Sequence, residues 1–297
     1  MVGSAVFVSP HLDDAALSCG GGIARLVSAG SRVTVITACT ADSPVDTELS
    51  DLARETHARW VVGAHPYAER RAEDFAAVGI LGAGMEHLGL SDAIYRLSPD
   101  GEPLYRELLG PPIEPHDMQV FLPQLAEALL SSGAISAETR VFCPLGTGGH
   151  VDHVLTRLAC EQAFSASSLV YYDEYPYVSR ALDEHTTAPD GFEQHVVRPT
   201  ERDLATKIAA VGAYESQLGL FPSRLEWRLR LASERLPFFS QVLTPRPDAA
   251  RARARMAAVL TSDTETLGGE RYWWPRTSRS PFSSAQEPEA ANRAEGA

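Results

Sequence analysis

Short apolar runs rich in β-branched residues alternate with longer segments of helical periodicity over residues 1–90, and that alternation restricts the chain to parallel βαβ units. Residues 5–8 (AVFV) predict a first strand and residues 32–39 (RVTVITAC) a second, buried one. Between them, residues 14–29 predict a helix with Leu17, Ala24 and Val27 on one face and Gly30 placed for a C-terminal cap. Gly20, Gly21 and Gly22 lie inside that helix, where they predict close packing against the sheet. They lack the G-x-G-x-x-G spacing of a dinucleotide loop.

Farther along, residues 40–50 read as a loop, 65–79 as a helix and 87–90 as a short strand. Residues 91–117 are irregular and contain five prolines, the pattern of a long surface loop that acts as a lid or lacks structure. Helix 118–131, strand 140–144, helix 152–166 and strand 169–173 follow, with a further short strand at 194–197. Thr200 and Asp203 form a capping-box pattern that opens a helix through Leu204, Ile208 and Val211. From Thr277 onward Phe282 is the only large apolar residue, which predicts one domain over 1–276, ending in a helical and irregular extension, and a disordered tail over 277–297.

Composition narrows the function. Lys and Arg total 26 against 39 Asp and Glu, a net charge of −13 that excludes a nucleic-acid surface built on bulk charge. Cys19, Cys39, Cys143 and Cys160 form no CxxC pair and sit among apolar or small residues, as expected of reduced thiols in a cytoplasmic protein. The chain shows no secretory leader and no stretch long enough to span a membrane.

Two segments gather metal-ligating side chains at the carboxyl ends of predicted strands. One is Ser9-Pro10-His11-Leu12-Asp13-Asp14, and the other is Gly146-Thr147-Gly148-Gly149-His150-Val151-Asp152-His153. Open α/β sheets bind ligands in the crevice at those ends, so the two loops share one site if their strands are neighbours. Two imidazoles and a carboxylate suit a catalytic zinc with one position left for water, and His11, Asp14 and His153 supply such a set. Asp13 is then placed to accept a proton from that water, and His150 to donate to developing negative charge. Either motif alone has a plainer reading. An Asp pair before a helix caps it and complements its dipole, and an HxxH at a helix start is ordinary surface polarity.

The PHLDD segment followed by SCGGG, together with the later GGHVDH, resembles the LmbE-like or PIG-L family of zinc-dependent de-N-acetylases, whose motifs are PH-x-DD and H-x-DH. The resemblance spans about residues 4–215. It implies a Rossmann-like α/β fold, a mainly parallel sheet with helices on both faces, and hydrolysis of an N-acetyl group on an N-acetylglucosamine-type sugar conjugate. It further implies zinc ligation by His11, Asp14 and His153, a general-base role for Asp13, and oxyanion assistance from His150. Two positions depart from the pattern: Ala15 stands where many members have Glu, and Gly148 where members acting in mycothiol biosynthesis have Tyr. The second departure weighs against a mycothiol-type substrate.

Arg71, in the ERRAED helix, and Asp92 are candidates for sugar contacts, with a solvated ion-pair face as the alternative for the arginines. The aromatic run from Tyr171 to Tyr177, like Trp273 and Trp274, suits either a sugar-stacking wall or core packing. Two rival functions use the same residues. A 2-His-1-carboxylate triad also binds Fe2+ in oxygenases, though usually on an all-β scaffold, and a carbohydrate-binding protein could keep a metal as a staple. The first gives Asp13 no role, and the second has no use for a base beside a closed coordination shell.

Overall fold

The computed structural model describes residues 3–44, 48–60, 65–180, 188–220, 249–278, 280 and 282. Strands β1 (Ser4–Ser9), β2 (Arg32–Cys39), β3 (Gly84–Leu90), β4 (Thr139–Pro144), β5 (Leu169–Tyr172), β6 (Phe192–Val197) and β7 (Glu270–Pro275) form one seven-stranded sheet in the order β3-β2-β1-β4-β5-β7-β6. The first five are parallel, and β7 joins β5 and β6 antiparallel. The sequence did not foretell β7, whose aromatic run ERYWWP finds its partners far away in the chain.

Both faces of the sheet are covered, so the central strands bury apolar side chains on both faces. Ala5 and Phe7 of β1 enter one core with Phe142, Val170 and Tyr172, whereas Val6 and Val8 enter the other with Val141, Cys143 and Tyr171. That alternation is the two-residue period of a strand buried on both faces. Phe7 and Phe142 stack at 4.1 Å across the β1–β4 pair. Helices α1 (Asp14–Ser28), α3 (Pro66–Leu81) and α8 (Glu201–Val211) pack together on one side, and α5 (Phe121–Ser131) and α6 (Val151–Ala163) on the other. Gly30, at φ 84°, ends α1 as expected, its N–H reaching the Val27 carbonyl. Thr200 and Asp203 complete the expected capping box on α8.

The expected glycine packing takes a specific form. A Cβ at Gly20 would lie 2.8 Å from Lys207 Cγ of α8, and one at Gly22 would strike the Tyr272 hydroxyl of β7. One expectation is borne out with an addition and one needs correction. Residues 91–117 are irregular and largely exposed, as expected of a surface loop, but Asp92, Arg96, Tyr105 and Asp117 are buried and anchor it, with the short 3-10 turn Ala93–Tyr95. The predicted helix 118–131 begins earlier and divides at Val120 into α4 (Pro115–Gln119) and α5. Two further helices, α2 (Asp51–Arg59), which Ser50 caps, and α9 (Ala249–Leu267), a 3-10 stretch Glu215–Leu220 and the single turn α7 (Tyr177–Arg180) complete the described helices. Phe282 lies past the expected domain boundary yet is buried in the first core, and residues 283–297 fall outside the described residues.

Candidate metal centre

β2 and β4 lie on opposite sides of β1, so the direction of winding reverses between β1 and β4, and a crevice opens at their carboxyl ends. The two sequence motifs leave the sheet at that switch point. His11 Nδ1 lies 3.1 Å and His153 Nε2 3.3 Å from the same oxygen, Asp14 Oδ2. One ligand atom from each of His11, Asp14 and His153 falls within 4.8 Å of the others. His11, His150 and Asp152 make a second such group, but Asp152 is already engaged. Its Oδ2 meets His11 Nε2 at 2.9 Å and accepts the Ala93 N–H, and its Oδ1 lies 2.6 Å from Arg96 Nη1.

Both imidazoles of the first group are held from behind by a carboxylate. Asp152 stands behind His11, and Glu174 Oε1 lies 3.3 Å from His153 Nδ1. When these carboxylates accept hydrogen bonds from the outer ring N–H groups, His11 Nδ1 and His153 Nε2 turn lone pairs toward Asp14, and three acceptors converge where a cation would satisfy all of them. Burial pulls the His153 pKa down, and Asp14 and Glu174 hold it up to about 9. A proton occupies that position until a cation displaces it, which is how metal binding releases protons. The residues therefore fit a divalent metal ion.

Asp13 does not cap α1: it makes no side-chain cap hydrogen bond, and its backbone sits at φ 154°, ψ −28°, a strained conformation for a non-glycine residue. The capping alternative thus fails for this carboxylate. Burial, reinforced by Asp14, raises its pKa to about 7, where a carboxylate can both take and return a proton. His150 is the N-cap of α6, and its Nδ1 accepts the Asp152 N–H at 3.2 Å. Burial, then His153 and His11, push its pKa well below the usual histidine value, so the ring is neutral with its proton on Nε2, a donor.

Both expected sugar contacts have protein partners. Arg71 bonds the Thr40 carbonyl at 2.7 Å and Asp42 at 2.8 Å, and the buried stripe of α3 runs instead through Tyr67, Arg70, Asp74, Ala77 and Leu81. Arg70 is the guanidinium that enters the site, 3.9 Å from Asp13 Oδ1 and stacked over Trp60. Asp92 is 4% exposed and occupied by protein donors: Oδ1 accepts the Ile94 N–H, and Oδ2 accepts the Tyr67 hydroxyl and lies 3.6 Å from His11 Nε2. It supports a ligand from within the fold.

Most of the aromatic run is core. Tyr171, Tyr172, Tyr175 and Trp274 are buried. The exception is Tyr177, whose ring meets His153 edge-on at 5.7 Å and fills the space beside Gly148, where a Cβ would come within 2.6 Å of it. Sequence reasoning missed Asp152, Glu174 and Arg70. Glu174 is fully buried and also accepts the N–H groups of Leu145, Gly146 and Thr147, fixing the loop that carries His150. Adjacency of β4 and β5 brings it there.

Fold and site together define a class: a doubly wound α/β protein with a two-histidine, one-carboxylate cradle at its switch point and an uncapped carboxylate beside it. The chain belongs to the PIG-L family, described as GlcNAc-PI de-N-acetylase, whose pattern matches residues 6–164. It is 31% identical over 240 residues to the 2'-N-acetylparomamine deacetylase of Niallia circulans, covering 75% of this chain and 84% of that protein. It is also 31% identical over 256 residues to the 1D-myo-inositol 2-acetamido-2-deoxy-alpha-D-glucopyranoside deacetylase 2 of Catenulispora acidiphila, covering 72% and 80% respectively. Among solved structures it is similar to the zinc-inhibited form of teicoplanin deacetylase Orf2, with TM-score 0.66 and 27% identity over 79% of this chain and 94% of that one.

Proposed function

We propose that this protein is a metal-dependent hydrolase that removes the N-acetyl group from an N-acetylglucosamine-type amino sugar within a small glycoside, releasing acetate and a free amine. The observation that carries the proposal is the convergence of His11, Asp14 and His153 beside a carboxylate, Asp13, that serves no cap. Relatives named for acetamido-sugar deacetylation support the substrate class.

In this reading His11, Asp14 and His153 hold a zinc ion, although two imidazoles and a carboxylate suit Fe2+ as well. The bound ion supplies Lewis acidity and lowers the pKa of water toward neutrality. Asp13 accepts the proton of the attacking water as its oxygen adds to the acetamide carbonyl carbon. His150 donates its Nε2 proton in a hydrogen bond to the carbonyl oxygen as negative charge grows there. When the C–N bond breaks, Asp13 returns the proton to the departing nitrogen, so water and amide become acetate and amine with no other reactant. Arg70, beside Asp13 and over Trp60, holds the base in place.

The buried free thiols suit a reducing, cytoplasmic setting. Among the described residues no helix is long and apolar enough to cross a membrane. A panel of N-acetylated amino sugars incubated with the zinc-loaded protein should give equal amounts of acetate and free amine, and chelation should stop both. Dioxygen consumption without acetate would instead favour the Fe2+ triad.

A further inference from the structure

Tyr105, Asp117 and Arg96, within residues 91–117, join Asp152 in a buried chain of polar contacts that ends on a metal-cradle histidine. The Tyr105 hydroxyl donates to Asp117 Oδ2 at 2.8 Å, and Arg96 Nε donates to the same oxygen at 2.9 Å. Arg96 Nη1 bonds the Ser91 carbonyl at 3.0 Å and faces Asp152 Oδ1 at 2.6 Å. Asp152 Oδ2 in turn meets His11 Nε2 at 2.9 Å. The Arg96 guanidinium lies over the Phe121 ring at 4.1 Å, and Arg96, Asp117 and Asp152 are 8%, 1% and 0% exposed. A lone guanidinium this deeply buried between two carboxylates is costly to desolvate, and the pairing fixes Asp152 in one orientation.

We propose that Arg96 is a positioning residue for metal binding: by fixing the Asp152 carboxylate against His11 Nε2, it orients the imidazole so that Nδ1 faces the metal position. Outer carboxylates of this kind commonly set ligand orientation and basicity. The inference extends that principle one shell outward, to an arginine and to the proline-rich segment that supplies it. It rests on the reading of His11 as a ligand and is independent of which substrate is deacetylated.

The test measures zinc affinity by chelator competition and, at a pH alkaline enough to leave the metal-free ring neutral, the His11 tautomer by ring 15N shifts. Arg96→Met should weaken zinc binding roughly 10- to 100-fold, the usual range for outer-shell changes. It should also populate the wrong tautomer, and Arg96→Lys should recover part of the loss. Because Arg96 acts through Asp152, the R96M/D152N double variant should bind zinc no worse than Asp152→Asn alone. Should Arg96→Met fail to fold, Asp117→Asn keeps the arginine but loosens it, and should give a smaller loss in the same direction. Unchanged zinc affinity and tautomer in the folded variant, with only a lower Tm, would overturn the inference and leave Arg96 a structural residue. His11→Ala is the control: zinc retained there would refute the ligand reading itself.

Discussion

Helix α1 carries two buried charged clusters, one at its middle and one at its amino end, and they differ in how their charges are met. At the middle, Glu270 accepts the N–H groups of Gly21 and Gly22 at 2.9 and 2.8 Å, the Lys207 ammonium at 2.7 Å and the Tyr272 hydroxyl at 2.8 Å. Donors surround both oxygens, and one ammonium cancels one carboxylate. At the amino end, Asp13 and Asp14 share a pocket with His11, His150 and His153. There the imidazole nitrogens face a carboxylate oxygen, and Asp13 lacks even a cap bond. The first cluster needs nothing further and staples α1 to α8 and β7. The second keeps its balance only with an added cation and a proton in transit, which makes it a working site.

Predictions that separate the clusters run from large effects to small. His153→Ala should abolish both metal retention and turnover, read by elemental analysis of the purified protein. Full metal occupancy in that variant would move the ligand set elsewhere. His150→Ala should keep its metal while kcat and kcat/KM fall together by roughly 100- to 1000-fold, the loss expected for one oxyanion donor. Lys207→Met, in the stapled cluster, should cost about 3–5 kcal/mol of stability by stranding Glu270, with metal stoichiometry unchanged. A Lys207 variant that loses metal but not stability would erase the distinction between the clusters. Arg71→Ala should alter kcat/KM by no more than about twofold, since its side chain is part-exposed and already pairs with the exposed Asp42.

The sequence made the ligand side of the site legible and its support largely illegible. His11, Asp13 and Asp14 follow one strand within a few residues, and His150 and His153 follow another, so local spacing and the strand-end rule suffice to bring them together once β1 and β4 are neighbours. Glu174 and Arg96 reach the histidines only through the tertiary order of strands and the folding of residues 91–117, and no local pattern marks them. Arg70 is a different case. Helical spacing relates Arg70 to Tyr67 and Ala77 and Arg71 to Tyr67, Phe75 and Val78 equally well, so only the packing of α3 decides which arginine turns inward. β7 escaped because a short aromatic run is stabilised by strands it meets from afar, a choice that tertiary context makes.

The most direct test of the site is Asp13→Asn, assayed together for metal content, folding and acetate release. The amide preserves size and hydrogen-bonding capacity but cannot accept the proton of the attacking water. The expected result is a folded, metal-loaded protein with kcat lowered about 100-fold or more. A variant that keeps its metal and near-parental kcat would contradict the assignment and reduce Asp13 to a strained residue at the start of a helix.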